Sequence, residues 1–369
     1  MGDRVNIGEV ARRAGVSRST VSYVLSGKRP VSGPLREHIQ RVIDEVGYAP
    51  SATAKALAQG RTSAIGLAIP PMAGHLSVDQ LHFVGAVAEA AADHDYDILL
   101  SPSGRGREAA FERLVAERRV DGFILMEVLL HDQRVPTLVE AGLPLVTIGR
   151  SDMDDHHSWV DLDYGGLVAQ GVEMLHAMGH RAIAFVNRPQ ELLDQEYGPA
   201  FRAADAFGKR TAELGMHSVH RCCDDSSEAG QACADELLAT APEVTAVLTI
   251  NERALVALVD RVIDKGVAIP GHMSLMAITS TRNATSCAVP ISASDVPTVQ
   301  MGEAAVTAML AKLDNPQAPP SRELFAPPYV DRGSVAPPRQ GSATGKGGTE
   351  TAGGPSPMRT KRTRKQQAR

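Results

Sequence analysis

The chain has 369 residues, 43% hydrophobic and 22% charged; that length exceeds what one core of about 150 residues absorbs, and the composition excludes a disordered, collagenous or small peptide fold. The net charge of -5 is unevenly spread, with a net +5 over residues 1–62, a net +7 over residues 333–369 and therefore -17 between them. A basic head on an acidic body points to a polyanion-binding module joined to a domain with a different task.

The N-terminus, Met1 to Asn6, lacks the apolar stretch of a secretion signal, and no later apolar run reaches the roughly 18 residues of a membrane span. A cytoplasmic protein without membrane attachment is expected. Ile7, Val10, Ala11 and Ala14 share one face of a two-turn helix that Gly15 would stop. Ser17 suits the N-cap of a second helix, Arg18 to Leu25, with Val21, Val24 and Leu25 inward and Arg18, Ser19, Ser22 and Tyr23 outward. A third helix is predicted from Pro34 to Val46, with Ser32 as cap, Leu35, Ile39, Val42, Ile43 and Val46 inside, and Gly47 at its end.

Three short helices with a tight Gly15-Val16 turn between the first two make a helix-turn-helix, whose second helix presents its N-terminal side chains to the DNA major groove. A bundle of three amphipathic helices does not require DNA. The local positive charge, the arginine at the second helix's start and the hydroxyls of Ser19, Thr20 and Ser22 favour it, with Arg18 best placed to read a base.

The run Ile7-Gly8-Glu9-Val10-Ala11-Arg12-Arg13-Ala14-Gly15-Val16-Ser17-Arg18-Ser19-Thr20-Val21-Ser22-Tyr23-Val24-Leu25-Ser26-Gly27 resembles the signature of the lactose-repressor (LacI/GalR) family of bacterial transcription regulators, and Val46 to Leu57 resembles that family's third helix end and hinge helix. The resemblance implies that Arg18, Ser19 and Tyr23 read bases, with Ser17, Thr20 and Ser22 beside them on the DNA-facing set. Ala52 to Gln59 has strong helix formers after Ser51 but only about two turns, which is marginal in water. The segment is therefore expected to fold when two copies meet in the minor groove. By the resemblance Leu57 is the wedge between base steps, with Ala54 and Lys55 in the same contact region.

From Ala64 onward short apolar runs alternate with helical segments: Ile65–Ile69, Asp97–Leu100, Gly122–Met126, Leu145–Ile148, Ala182–Val186, Ala246–Ile250 and Ser274–Ile278. This is the pattern of parallel sheets covered on both faces, and its extent calls for two lobes. Met178–Ala184 and Thr245–Glu252 resemble the family's effector domain, similar to periplasmic sugar-binding proteins. The fold class expected is α/β: a three-helix DNA-binding domain (1–50), a hinge helix and linker (51–62), a two-lobed periplasmic-binding-protein-like effector and dimerisation domain with parallel sheets (63–332), and a disordered basic tail (333–369). Lobe one would hold 63–160 and 293–330, and lobe two 161–292.

In that architecture a ligand sits between the lobes at strand carboxyl ends. The resemblance assigns Asn251 to an effector-bonding position, with Glu252 replacing the usual Asp beside it, and Arg150 to a cleft arginine. Tyr197 and Arg202 fall where the family places a clamping arginine. Phe83 and Trp159 are candidates for stacking on a sugar ring. At Thr279 many relatives carry an aspartate that accepts two sugar hydroxyls, which threonine cannot do, so a non-sugar ligand or a partner protein stands as the alternative controller.

Gly104-Arg105-Gly106-Arg107 follows a strand, with Glu127 about twenty residues on, a superficial dinucleotide fingerprint that makes an NAD-dependent dehydrogenase the enzyme alternative. His156 and His157 beside Asp154 and Asp155 are assigned to an exposed loop rather than a metal site. Cys222, Cys223, Cys233 and Cys287 lack CxxC spacing and are expected to be reduced structural thiols. No GxSxG, HExxH or P-loop motif occurs. The expectation is no enzyme and no cofactor: a regulator, usually a repressor in this family, bound as a homodimer to a near-palindromic double-stranded operator and controlled by a small-molecule effector.

Overall fold

The computed structural model describes residues 5–26, 29–48, 60–69, 76–103, 106 and 108–339. The N-terminal unit is three helices, α1 (Ile7–Ala14), α2 (Arg18–Ser26) and α3 (Gly33–Val46). Asn6 caps α1 by accepting from the Gly8 and Glu9 amides, and Gly15 ends it at φ +67°. Gly47 ends α3 in the same left-handed conformation. Ser32 stands at the N-cap of α3 but makes no side-chain capping bond; Pro34, which has no amide to satisfy, occupies the first turn. Val10, Ala11, Ala14, Val21, Ile39, Val42, Ile43 and Tyr48 form the shared core. The expected hinge helix, with Ala54, Lys55 and Leu57, lies outside the described residues.

Two six-stranded sheets follow. Their strands in chain order are β1 (Ala64–Ile69), β2 (Asp97–Pro102), β3 (Gly122–Leu125), β4 (Leu145–Ile148), β5 (Ser158–Leu162), β6 (Ala182–Asn187), β7 (His217–Cys222), β8 (Ala246–Thr249), β9 (Ser274–Thr279), β10 (Ser292–Asp295), β11 (Arg322–Phe325) and β12 (Tyr329–Val330). Lobe one is a wholly parallel sheet ordered β2-β1-β3-β4-β5-β11. Lobe two is ordered β7-β6-β8-β9-β10-β12 and is parallel except for β12. β3, β4, β8 and β9 are buried along their whole length, as continuous apolar runs covered on both faces should be.

The covering helices are α4 (Val78–Ala92), α5 (Glu108–Glu117), α6 (Arg134–Glu140), α7 (Tyr164–Ala177), α8 (Gln190–Asp194), α9 (Gly198–Glu213), α10 (Ser227–Thr240), α11 (Leu255–Asp264), α12 (Thr281–Ser286) and α13 (Thr298–Asp314). α13 packs on α4 and on β3, β4 and β5. Their close approach needs Gly302, where a Cβ would come within 2.8 Å of the Ala86 side chain. Among the described residues no helix is long and apolar enough to cross a membrane.

The chain passes between the lobes three times: after β5, between β10 and α13, and between β11 and β12. The lobe limits therefore differ from those expected. Asp161 and Leu162 end a strand of lobe one, while β10 and β12 belong to lobe two. The sequence Ser292-Ala293-Ser294-Asp295 hides a strand because its buried serine at 292 is satisfied by polar partners, Asp331 and the Arg332 amide.

A second correction concerns the tail. Residues 333–339, assigned to disorder for their composition, are fastened to lobe two. The buried Ser334 hydroxyl donates to the Leu275 carbonyl at 2.6 Å and accepts from the Ser292 amide at 2.8 Å. The Ala336 carbonyl lies 3.0 Å from His180 Nε2 and accepts from the Ser274 hydroxyl at 2.9 Å. Polar composition misled here because backbone and hydroxyl hydrogen bonds, with Val335 packed against the core, hold the segment. Residues 340–369 lie outside the described residues.

Candidate functional site

On the N-terminal unit the start of α2 is the exposed polar edge. Ser17 Oγ accepts from the Thr20 amide at 3.1 Å, capping the helix, and lies 2.8 Å from both Ser19 Oγ and Thr20 Oγ1. Arg18 and Ser19 are exposed, while Thr20, Ser22 and Tyr23 are half-buried. Arg29 sits over the Tyr23 ring at 5.1 Å. The Arg18 guanidinium crosses the start of α1 beside Gly8, where a Cβ would stand 2.8 Å from its Nη2. Arg12 and Arg13, by contrast, are paired with Glu9, whose carboxyl their hydrogen bonds hold down at about 2. Among the described residues Arg18 has no acidic partner, so its charge is available to a ligand.

The second site is the cleft between the lobes, which encloses about 720 Å³ including its open mouth. Asp79, Gln80 and Phe83 from α4, Glu127 after β3 and Asp161 on β5 line one wall. Tyr164, Arg188, Tyr197, Glu252 and Ser280 line the other. Most of these stand at or just past the carboxyl ends of parallel strands, where diverging connections open a crevice. Glu127 has φ +52°, a conformation that costs a non-glycine residue free energy and that holds its side chain at the cleft. Its Oε1 accepts from Gln80 Nε2 at 3.0 Å, and its Oε2 is buried with no hydrogen-bond partner among the described residues.

The walls touch directly. Asn283 Nδ2 donates to Asp79 at 2.6 Å, Arg253 Nη2 to Gln80 at 3.2 Å, and the amides of Leu130 and Gly198 to the carbonyls of Glu196 and Val128 at 2.9 and 3.2 Å. Arg188 meets Asp225 through Nε and Nη2 and lies 5.8 Å from the Tyr197 ring centroid. Burial pushes Glu252 up to about 8, with Arg188 opposing and the Asp79 and Glu127 charges adding to the rise. Burial likewise raises the Tyr164 and Tyr197 phenols, which remain neutral hydrogen-bonding groups.

Residues 6–51 match the family described as bacterial regulatory proteins, lacI family, and residues 172–335 match the periplasmic binding protein-like domain. The HTH-type transcriptional regulator AglR of Rhizobium meliloti (strain 1021) is 27% identical over 344 residues, covering 90% of this chain and 95% of that one. The HTH-type transcriptional regulator RafR of Escherichia coli is 30% identical over 251 residues, 66% of this chain and 72% of RafR. The chain belongs to the LacI family. Two solved structures resemble this LacI-family chain over 90% of its length and 100% of theirs. The transcriptional regulator CelR-cellobiose complex does so at 26% identity and a TM-score of 0.66. The lac repressor dimer bound to operator and the anti-inducer ONPF, at 23% identity and 0.79, supports the fold.

LacI-family proteins are DNA-binding transcription regulators and not enzymes, which removes the dehydrogenase alternative. Of its fingerprint, Gly104, Arg105 and Arg107 lie outside the described residues, and Glu127 belongs to the cleft wall. Phe83 and Tyr197, both expected at the effector, line the cleft of this LacI-family chain. Arg150 and Arg202 stand behind the wall on Asp161, at 2.8 and 3.6 Å. Burial pushes the Asp161 carboxyl up, and the two arginines oppose that rise. Trp159 is buried beneath Arg150, 5.3 Å from its guanidinium, and is not free to stack on a ring.

Asn251 and Thr279 turn away from the cleft. The Asn251 amide donates to the Cys223 carbonyl at 2.6 Å and its oxygen accepts from the Ala254 amide at 3.0 Å, so it caps a local turn. Thr279 is buried and accepts from Asn283 at 3.3 Å. In each case the next residue, Glu252 or Ser280, faces the cavity. Sequence patterning does not single out Asp79, Gln80, Asp161, Tyr164, Arg188 or Ser280; position at a strand's carboxyl end is the signal that points to Asp161, Arg188 and Ser280. His157, assigned to an exposed loop, is buried with Nε2 3.2 Å from Thr147 Oγ1. The four cysteines are free thiols.

Proposed function

We propose that this regulator is a repressor that binds a near-palindromic operator as a homodimer and responds to a small hydroxylated effector, a sugar or related metabolite, in the interlobe cleft. Arg18, Ser19 and Tyr23 read bases in the major groove, and Ser17, Thr20 and Ser22 bond phosphate or base edges. Ala54, Lys55 and Leu57 enter the minor groove when two hinge segments meet. The site of action is the cytoplasm, where the DNA is.

One observation carries the reading: direct hydrogen bonds join the two walls of a polar cavity, Asn283 to Asp79 and Arg253 to Gln80. A ligand seated there competes with or reinforces those bonds, changing the lobe angle and with it the spacing of the paired DNA-binding units. CelR, which this chain resembles, is in complex with cellobiose, and this supports a sugar-sized occupant. The test is selection of duplexes from a random pool with the full chain, followed by a metabolite screen for release or strengthening of the selected complex. A two-fold symmetric site whose affinity responds to a metabolite is expected; a protein that selects no sequence refutes the reading.

A further inference from the structure

The charge on the cleft wall specifies what can enter. Four carboxyl groups, Asp79, Glu127, Asp161 and Glu252, face the cavity against one lining guanidinium, Arg188. Both oxygens of Asp225 already meet that guanidinium, at 3.1 and 2.7 Å. Among the described residues behind the cleft wall, Arg150 and Arg202 meet Asp161, and Arg253 meets Gln80 at 3.2 Å and Asp225 at 3.8 Å. Asp79 accepts from Asn283, and Asp161 has its two arginines. Glu127 and Glu252 are left facing the cavity with no described cation in hydrogen-bond contact.

Recognition of a carboxylate or phosphate requires unpaired positive donors, usually a guanidinium offering two parallel bonds. Among the described residues the one lining guanidinium, Arg188, already has its charge matched by Asp225, and any anion entering the cleft would be desolvated beside the Asp79 and Glu127 carboxyl groups. We infer that the effector is a hydroxylated compound without negative charge, a neutral or amino sugar rather than a sugar acid or sugar phosphate, and that Glu127 and Glu252 set this rule; the inference rests on the cleft being the effector site. Carboxyl oxygens accept hydroxyl or ammonium hydrogens, and Tyr164, Ser280 and Gln80 supply neutral partners for the remaining hydroxyls. Because burial raises Glu252 to about 8, it carries a proton at neutral pH that it donates to a neutral hydroxyl and releases when an ammonium arrives.

The test screens the full chain against neutral sugars, amino sugars, aldonic acids and sugar phosphates by thermal shift, with calorimetry on each hit and on its acid and phosphate analogues. Hits confined to the neutral and amino classes are expected, with anionic analogues at least about tenfold weaker, the effect of one uncompensated charge at close range. Glu127→Gln should narrow that gap at neutral pH, and Glu252→Gln should narrow it only above about pH 8, where the native carboxyl has lost its proton. An anionic hit as tight as its neutral analogue overturns the inference, and an unchanged gap in both variants removes these residues from the role. Phe83→Ala alters the wall without altering its charge, so it should weaken all classes alike. Hits indifferent to Phe83→Ala, or no hit in any class, overturn the cleft reading itself.

Discussion

Arg188 and Asp225 form a two-point pair past the carboxyl ends of neighbouring strands β6 and β7, with both side chains less than a tenth exposed. The pair fixes the guanidinium beside Tyr197 and spends its charge inside the protein, so the cleft keeps its acidic character. Removing the acid leaves a buried cation without a counter-charge. Asp225→Ala should therefore cost about 3–5 kcal/mol in urea unfolding. A loss of a few tenths would mean that water reaches Arg188 and that the pair does not organise the wall.

Arg18 is an exposed cation at the head of α2 with no acidic partner among the described residues. Arg18→Ala should weaken binding to the selected duplex by about 1–3 kcal/mol and relax preference at one base position in each half-site. A uniform loss over all sequences in competition gel shifts would reassign Arg18 to phosphate.

Glu252 makes stability depend on pH with a definite sign. Its carboxyl titrates near 4.5 when unmodified by the fold and near 8 in the folded chain, so the folded state holds the proton more tightly. The stabilisation from this group is complete below about 4.5, declines as pH rises between the two values, and is gone above about 8. The difference in urea midpoint between the native chain and Glu252→Gln should follow that course, falling with rising pH. A flat or rising difference contradicts the buried placement.

Ser334→Ala removes the donor to the Leu275 carbonyl and leaves the buried Ser292 amide without its acceptor. A cost of about 1–3 kcal/mol is expected by thermal or urea unfolding. An unchanged midpoint would show that the segment after β12 does not brace lobe two.

What was legible in the sequence followed from burial. Ile65–Ile69 and Ser274–Ile278 announce covered parallel strands because every residue meets apolar neighbours, and Gly15 and Gly47 mark helix ends because few other residues adopt their backbone angles. The strands that escaped were short or polar: Ser158–Leu162 carries a buried serine and aspartate, His217–Cys222 is an edge strand, and Ser292–Asp295 satisfies its buried polar atoms by hydrogen bonds. The cleft was legible as a place but not as a set of side chains. Whether Asn251 or Glu252 faces the cavity depends on one residue of register after β8, which is fixed by Asn251's bonds to the Cys223 carbonyl and the Ala254 amide. Apolar periodicity carries no such information.

The most direct test is the ratio of affinities for a selected symmetric duplex and its scrambled counterpart, measured by fluorescence anisotropy with the full chain at one fixed salt concentration. A preference of roughly a thousandfold or more, with at least about tenfold lost in Arg18→Ala, is the result expected of a base-reading helix. Equal affinity for the two duplexes, unchanged by Arg18→Ala, would contradict it.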